Sequence, residues 1–416
     1  MTEEARISQV IFEYASKIGK ASGTDALLEL NAAMARDLVG ADRCSIWLID
    51  PAANQLWTKV AHGVDELRVP LEHGVVGACI AERRPIVVND TSKDPRFRGK
   101  TDLDTGYATR ALLALPLNGA DGRAIGAIQV LNKPGGFHDR DMNLLGLAAA
   151  YSASAIETEQ LRGQAEAARL LQREIEIARA VQERLFPQHL PALAGWDCAA
   201  QCRPAKAVGG DYFDFIAMPG GGVLFTIGDV SGKGIAAAVL MAGIQASIRS
   251  QALYAPESLA ALAGDFNKAF YSFSPAEKYS TLFCGLLDAG SRRLTYVNAG
   301  QVAPVVLGSG GGIELLEAGG PPVGLFPMTR YREATVELAP GDAVVCFSDG
   351  INEATNGQDE MWGDACLEVI RQATHLGARE IVEKLIAGAD EFTGDAEQAD
   401  DMTVVVLKAI QPAHLI

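Results

Sequence analysis

With 416 residues, the chain is long enough for two or three domains, and its composition, 48% hydrophobic and 21% charged, is ordinary for a globular protein. A formal net charge of −16 argues against binding to nucleic acid or to an anionic membrane surface, and it makes binding of hard cations electrostatically reasonable. No apolar run approaches the roughly 18 residues that cross a bilayer, and the acidic opening Met-Thr-Glu-Glu-Ala-Arg is unlike a secretory signal, so we expect a cytoplasmic protein without membrane insertion.

The seven cysteines are an odd number scattered through apolar runs, which is typical of reduced thiols in protein cores. The pair Cys198 and Cys202 lacks a second pair of ligands that would complete a zinc site. Because Trp196, Cys198, Ala200 and Cys202 alternate along the chain, they fit one face of a β-strand better than a metal site.

The first region mixes helical and strand patterns. Two helical patterns within residues 5–38 are separated by a polar turn in which Thr24 is a plausible N-cap. Further elements follow in this order: strands at 44–49 and 56–60, a helix at 74–82, a strand at 85–88, a polar loop at 89–109, strands at 111–117 and 124–131, and a helix from Asp139. This order predicts an α+β domain with an antiparallel sheet.

The motif Gly-Val-Val-Gly-Ala-Cys-Ile-Ala-Glu-Arg-Arg-Pro-Ile-Val-Val-Asn-Asp at 74–90 and the run Ala-Leu-Pro-Leu at 114–117 resemble a GAF domain over about residues 20–158. The resemblance implies a sensory module that dimerises or binds a small molecule, whose identity the sequence leaves unknown. Asn132, Lys133, Phe137 and Asp141 are similar to a signature of GAF domains that bind cyclic nucleotides, although Met142 replaces its last Glu. An ion pair between Lys133 and Asp141 that holds the sheet to the closing helix is the structural alternative.

Between residues 149 and 185 no proline interrupts the chain. Apolar residues occupy the a and d positions of a heptad, with Gln182 at one a position: Ala168, Leu171, Ile175, Ala178 and Leu185. We expect a parallel two-helix coiled coil that forms a homodimer through residues 160–185 and relays a signal from the sensor. The alternative is a single surface helix packed on a neighbouring domain. The helix is expected to end at Phe186 and Pro187.

The remaining chain predicts many antiparallel strands with helices inserted in pairs, which suggests a β-sandwich flanked by helices. Strands are expected at 195–203, 211–217, 222–229, 280–288, 292–299, 303–307, 333–338, 343–348 and 402–408, and helices at 234–250, 256–272, 360–373 and 377–392.

Acidic residues recur at strand ends beside glycine or another acid: Asp211, Asp229, Asp349, Asp400 and Asp401. A lone aspartate in such a place is usually a turn former. If several converged, they would repel one another unless cations lay between them. Carboxylates together with one backbone carbonyl, and no set of His or Cys nearby, select Mg²⁺ or Mn²⁺ over zinc.

The central segment runs from Ile227 to Ala242, where a strand ends at Gly-Asp and a glycine-rich turn leads into a helix. Glycines at 228, 232 and 234 allow the backbone to approach a ligand closely, so Asp229 and the carbonyl of Val230 could face one cation. Two alternatives remain for this segment. A nucleotide phosphate loop would need one more residue and a hydroxyl in place of Gly234, and in the other alternative Asp229 simply caps the helix.

Several motifs together resemble the bacterial SpoIIE/RsbU-like branch of the type 2C metal-dependent serine/threonine protein phosphatases, over essentially all of residues 180–408. They are Val-Gly-Gly-Asp-Tyr-Phe-Asp at 208–214, Gly-Asp-Val-Ser-Gly-Lys-Gly at 228–234, Tyr-Ser-Thr-Leu at 279–282, Asn-Ala-Gly at 298–300, Gly-Leu at 324–325, Ser-Asp-Gly-Ile-Asn-Glu-Ala at 348–354 and Asp-Asp-Met-Thr-Val at 400–404.

The resemblance implies two Mn²⁺ or Mg²⁺ ions, with Asp229 bridging them and the Val230 carbonyl completing one. Asp211 would bind on one side, and Asp349 and Asp400 on the other; Asp401 is the open alternative to Asp400. The ion pair would activate a water for attack on phosphoserine or phosphothreonine. Gln301 stands where the family usually has His, which leaves an acid role at that position in doubt, and Lys233 is interpreted as a solvated turn residue.

The resemblance also implies a substrate, a phosphorylated anti-sigma-factor antagonist in a partner-switching pathway. The expected organisation is a GAF domain at 1–158, a coiled-coil linker helix at 159–187 and a phosphatase domain at 188–416. Two alternatives remain: an inactive phosphatase-like module that binds a ligand, and a phosphatase of another phosphoprotein or of a small phosphate ester.

Overall fold

The structure, a computed structural model, describes residues 2–58, 66–97, 106–218, 222–254 and 258–410. It divides into two compact units, Met1–Leu170 and Leu171–Ile416. The division falls within one helix, Asp139–Leu185, which also contains the predicted boundary after residue 158. No helix in the described ranges combines the length and the apolar character needed to cross a bilayer.

The first unit contains a six-stranded antiparallel sheet in the order β3-β2-β1-β6-β5-β4. Its elements are α1 (Glu3–Ile18), α2 (Thr24–Val39), β1 (Arg43–Asp50), β2 (Gln55–Thr58), β3 (Leu67–Pro70), α3 (Gly74–Glu82), β4 (Ile86–Val88), β5 (Leu112–Asn118), β6 (Ala124–Leu131) and the first part of α4 (Asp139–Leu185).

The central strands of this sheet are apolar on both faces, and each face packs against different helices. Ile46 and Ile128 pair across β1 and β6, and they pack with Leu28 of α2 and Leu145 of α4 in one core. Trp47, the next residue of β1, packs with other residues in a separate cluster that includes Val76 of α3. This alternation is the period of two that a strand imposes on its side chains.

The predicted order of elements in this unit is confirmed with small differences. Gly23 is the N-cap of α2, so Thr24 is the first helical residue and not the cap that the sequence suggested. Strand β3 was not predicted, since four residues with mixed polarity give little pattern. Residues 59–60 of the predicted strand 56–60, and residues 98–105 of the predicted loop, lie outside the described residues.

The second unit is a sandwich of two sheets, in the orders β14-β11-β10-β9-β8, with β15 also paired to β11, and β13-β12-β16-β17-β7. The strands are β7 (Trp196–Arg203), β8 (Tyr212–Ala217), β9 (Val223–Val230), β10 (Ser280–Asp288), β11 (Arg293–Ala299), β12 (Val305–Leu307), β13 (Ile313–Leu315), β14 (Gly319–Gly320), β15 (Ala334–Glu337), β16 (Ala343–Phe347) and β17 (Met402–Ala409). The helices are α5 (Ile235–Ala252), α6 (Leu259–Phe273), α7 (Asp349–Asn352), α8 (Ala365–Arg371) and α9 (Ala378–Thr393).

Strand β17 shows how the sequence makes this layered architecture. Val405 and Leu407 enter the core between the sheets, while Val404 and Val406 enter the core under α8 and α9. Both faces of the strand are therefore buried, which explains its uninterrupted apolar run. All nine predicted strands are present with ends within two residues of the prediction, whereas the short elements β13, β14 and α7 were missed.

The seven cysteines are all free, as predicted, and Cys198 and Cys202 pack with Trp196 against the core between the sheets. The expected ion pair between Lys133 and Asp141 is also present, and the side chain of Asp141 is buried.

Candidate metal centre

The corner between β9 and α5 carries Asp229. Its strand is held by β10, where Thr281 pairs with Asp229 and the hydroxyl of Thr281 accepts a 3.2 Å hydrogen bond from the Asp229 backbone N–H. Helix α5 begins after Gly234, which has a φ of 77° and makes no side-chain cap. The alternative in which Asp229 caps this helix is therefore wrong, and its carboxylate is left for another role.

Asp211 lies at the start of β8 and is buried, with 1% of its surface exposed. Its Oδ2 accepts hydrogen bonds from the hydroxyls of Ser348, at 2.7 Å, and Thr403, at 2.5 Å. Its Oδ1 is buried and has no hydrogen-bond partner. A buried carboxylate oxygen without a donor is costly, which is a reason to expect a positive ligand there.

Asp349 and Asp400 approach from the second sheet. Asp349 is the first residue of α7, two residues after the end of β16, and Asp400 lies two residues before β17. Because β16 and β17 are adjacent and antiparallel, the end of one strand and the start of the next meet at the same edge of the sheet. A Cβ on Gly350 would lie 2.0 Å from the Asp401 carbonyl oxygen and 3.2 Å from the carbonyl carbon of Asp400, so the turn that carries Asp349 contacts the backbone of the acid pair.

The electrostatics of this cluster are those of a crowded anionic pocket. Burial first, and then the charges of Asp349 and Asp400, raise the pKa of Asp229 to about 8. Burial, Asp400 and Glu353 raise the pKa of Asp349 to about 6. Burial and the charge of Asp229 hold the pKa of Asp211 well above its ordinary value. A cation would relieve this repulsion.

The donor set fits a hard cation, although the carboxylates are engaged with protein groups. In the described ranges no three His, Cys, Asp or Glu side chains surround one point as metal ligands would. Asp211 is turned to two hydroxyls and Asp400 to Lys233. A Cβ on Gly210 would lie 2.8 Å from the Val230 carbonyl oxygen and 3.0 Å from Oδ1 of Asp229. Glycine at 210 thus leaves open a cradle of oxygens of the kind that Mg²⁺ and Mn²⁺ prefer.

The two adjacent acids at the start of β17 have different surroundings. The Asp401 carboxylate accepts hydrogen bonds of 2.7 Å from the backbone N–H groups of both Ala205 and Gly210. The Asp400 carboxylate instead pairs with Lys233, and its charge acts on Asp349 more than that of any other residue. Asp401 therefore holds the loop before Asp211, whereas the Asp400 carboxylate faces Lys233.

Two positions differ from the interpretation of the sequence. Lys233 is not merely a solvated turn residue, because its ammonium group pairs with Asp400. Gln301 is buried, accepts a 2.5 Å hydrogen bond from the Thr281 hydroxyl and donates one of 3.2 Å to the Phe347 carbonyl. A carboxamide so placed braces the strand next to Asp229 and does not act as an acid.

Sequence reasoning missed the hydroxyls of Ser348 and Thr403 and the amide of Gln182. In the sequence, Ser348 stands out only as the residue before Asp349, and Thr403 only as a residue that follows the acid pair. Gln182 stands out only because it interrupts an apolar heptad. A polar residue at an apolar heptad position was the available signal for Gln182. In the structure Gln182 is buried against Gly209 of its own unit, so this position is not open to a second helix.

Protein-family models and a solved structure match the two regions of the chain. Residues 24–156 match the GAF domain model, and residues 219–410 match the model of stage II sporulation protein E (SpoIIE). The PP2C domain of SiaA from Pseudomonas aeruginosa has the same fold, with a TM-score of 0.52 and 22% identity over 58% of this chain and 98% of that domain. The chain therefore contains a region that matches the GAF model, followed by a region that matches the SpoIIE model and has the fold of a PP2C domain.

Two curated relatives match more than half of the chain. The phosphoserine phosphatase RsbU of Bacillus subtilis is 27% identical over 280 residues, which cover 65% of this chain and 79% of RsbU. Protein IcfG of Synechocystis is 26% identical over 263 residues, which cover 56% of this chain and 41% of IcfG. The chain thus spans less than half the length of IcfG.

Proposed function

We propose that the protein is a metal-dependent protein phosphatase that hydrolyses phosphoserine or phosphothreonine. One observation carries the proposal: acids from distant segments, Asp211, Asp229, Asp349 and Asp400, are gathered at one end of the sandwich, where burial and mutual repulsion raise the pKa values of the first three. Such an arrangement is stable only with cations or protons between the acids. The match to the SpoIIE model supports phosphoester hydrolysis as the use of this site.

Asp229 and the Val230 carbonyl, with Asp211 on one side and Asp349 and Asp400 on the other, would hold two Mn²⁺ or Mg²⁺ ions. When bound, such ions supply an activated water and neutralise the charge of the phosphoryl group.

The chain's own residues position these ligands. Ser348 and Thr403 donate to Oδ2 of Asp211, which leaves Oδ1 directed elsewhere. Thr281 and Gln301 brace the backbone at Asp229 through hydrogen bonds. Lys233 balances part of the negative charge beside Asp400. No cysteine of the described chain stands out as a nucleophile, because burial raises the thiol pKa values of Cys284 to about 12 and of Cys366 to about 11.

We infer that the substrate is a phosphorylated anti-sigma-factor antagonist and that the protein acts in a partner-switching pathway. The similarity to RsbU supports a phosphoserine protein as the substrate, since the name of that relative specifies a phosphoserine phosphatase. The anti-sigma-factor antagonist is what the resemblance of the motifs implies. The GAF domain would regulate the phosphatase in response to a small molecule of unknown identity.

A homodimer through residues 160–185 would carry the regulation. The supporting observation is a row of exposed apolar side chains on α4, since Leu170, Ile177 and Val181 are each more than half exposed. These residues recur at spacings of seven and four, as in a helix-pairing face, but they are not the predicted a and d residues. They lie on a different face from Gln182, which is buried within its own unit.

The test is release of phosphate from a phosphoserine protein in Mn²⁺ and in Mg²⁺, with and without a chelator. We expect metal-dependent turnover by the wild-type chain and none by Asp229→Asn, whose folded state is checked by circular dichroism. Turnover by Asp229→Asn, or inactivity of the metal-loaded wild type on phosphoproteins and on p-nitrophenyl phosphate alike, would contradict the proposal. The second result would favour a phosphatase-like module that only binds a ligand.

A further inference from the structure

Gln182 on helix α4 makes a double hydrogen bond to a single peptide residue of the loop before Asp211. Its Nε2 donates to the carbonyl of Gly209 at 2.7 Å, and its Oε1 accepts from the N–H of Gly209 at 3.1 Å. The side chain is 6% exposed, whereas that of the preceding Val181 is 57% exposed. A carboxamide bonded through both its nitrogen and its oxygen is held in one orientation.

The next peptide groups of the loop are also held. The N–H of Gly210 donates to Oδ2 of Asp401 at 2.7 Å, and the Gly210 carbonyl accepts from the N–H of Val230 at 3.4 Å. A Cβ on Gly209 would come within 2.1 Å of Asp401 Oδ2, so the loop has no room for a side chain there. The backbone ahead of Asp211 is thus fixed from three directions: by Gln182, by Asp401 and by strand β9.

Gln182 differs from Asp401 and strand β9 because it belongs to the long helix α4 and not to the sandwich. C-terminal to Gln182, the end of α4 makes two further contacts with the second unit. Phe186 stacks on Phe213, two residues after Asp211, with ring centroids 5.1 Å apart. The Leu185 carbonyl accepts a 3.1 Å hydrogen bond from Gln245 of α5. A shift of the helix end would therefore act on the backbone that carries Asp211.

We propose that Gln182 is a positioning residue for Asp211 that sets the affinity of the site for divalent cations. The inference rests on the proposed function in one respect, namely that Asp211 is a metal ligand. Without Gln182, the N–H and the C=O of Gly209 would both lose their hydrogen-bond partner in a buried place. The loop would then shift so that water can solvate these groups. Asp211 would then hold its carboxylate less firmly toward the cations.

The experiment compares Mn²⁺ binding to the full chain and to three variants, by titration with detection of free Mn²⁺ by electron paramagnetic resonance. Gln182→Leu removes both hydrogen bonds at similar volume, and Gln182→Asn keeps the amide but shortens it by one methylene. We expect both to weaken Mn²⁺ binding about tenfold, the change that corresponds to the loss of about 1.4 kcal/mol from a buried hydrogen-bonded pair. Gln172→Leu, an exposed position ten residues earlier on the same helix, is the matched control and should bind as the wild type does.

Two further measurements distinguish a specific effect on the loop before Asp211 from a general destabilisation of the second unit. Hydrogen exchange at the Gly209 amide should accelerate in Gln182→Leu, while that of the strand amides of β17 should not. Gln245→Leu removes the attachment of the helix end without touching Gly209, and it should weaken Mn²⁺ binding less than Gln182→Leu does.

The outcomes are distinguishable from those of the function test. Unchanged Mn²⁺ affinity in a folded Gln182→Leu protein would overturn the positioning role, whatever the enzyme's activity. If the wild type bound Mn²⁺ but hydrolysed no phosphoprotein, the proposed function would fail, and a weaker Mn²⁺ affinity of Gln182→Leu would still support the positioning role. A wild type that binds no Mn²⁺ would overturn both.

Discussion

The ammonium nitrogen of Lys233 lies 2.8 Å from Oδ2 of Asp400 and donates at 2.6 Å to the Ala399 carbonyl. If Asp400 is a metal ligand as proposed, this ammonium group would compete with the metal ion for its carboxylate. We expect Lys233→Met to tighten Mn²⁺ binding several-fold at low ionic strength and by less in high salt, because salt screens exposed charges. Calorimetric titration at two salt concentrations measures this. Weaker binding by the variant would instead mean that Lys233 holds Asp400 in its ligand position.

Gly210→Ala should impair the metal centre directly. The added methyl would be 2.8 Å from the Val230 carbonyl oxygen and 3.0 Å from Oδ1 of Asp229, closer than carbon and oxygen pack. We expect at least tenfold weaker Mn²⁺ binding with a folded protein, measured by the same titration. Gly357→Ala is the matched control, since no atom lies within 4 Å of a Cβ there, and it should behave as the wild type does. Equal affinities in the two variants would count against the cradle at Gly210.

The second aspartate of the Asp-Tyr-Phe-Asp motif has a structural role. Asp214 is fully buried and accepts two hydrogen bonds from the Arg249 guanidinium on α5, at 2.6 and 2.7 Å. Although the Arg249 side chain is 45% exposed, it is the charged partner of the buried Asp214 carboxylate, so its removal leaves that charge without compensation. Arg249→Met should therefore lower the free energy of unfolding of the second unit by about 3 kcal/mol, measured by urea denaturation.

A double variant, Asp214→Asn with Arg249→Met, should recover part of that loss because no buried charge remains. Arg379→Met is the surface control, since its partner Glu383 is 3.4 Å away and both side chains are largely exposed. Its effect should stay below about 1 kcal/mol. A loss in Arg249→Met no larger than in Arg379→Met would show that the buried pair is not stabilising.

Removal of the ion pair between Lys133 and Asp141 tests whether these residues have a structural role or a ligand-binding role in the GAF domain. Asp141 is buried, and it also accepts a 3.0 Å hydrogen bond from the His138 N–H at the start of α4. Lys133→Met should destabilise the first unit by about 1–3 kcal/mol because the carboxylate loses its charged partner. Thermal unfolding and hydrogen exchange in β6 measure this. Unchanged stability, together with loss of binding to a cyclic nucleotide, would favour the ligand role.

The local patterns of the sequence were sufficient for most of the fold. The apolar run of β17 and the glycine turn after β9 act over a few residues, so the strands were predicted with nearly correct ends. The same logic placed acids at strand ends. Short elements such as β14 were missed because two residues carry no periodicity.

Tertiary packing decided which acid does what. Asp400 and Asp401 are neighbours in sequence with the same chemistry, yet only the fold turns one to Lys233 and the other to the backbone of Ala205 and Gly210, nearly two hundred residues away. Equally, a heptad position cannot reveal that Gln182 meets Gly209. Local propensities depend on neighbours along the chain, whereas hydrogen bonds and charge pairs in the site join segments that meet only when the sandwich closes. The sequence alone thus determined the elements and the type of chemistry, and the packing of the second unit determined the partner of each side chain.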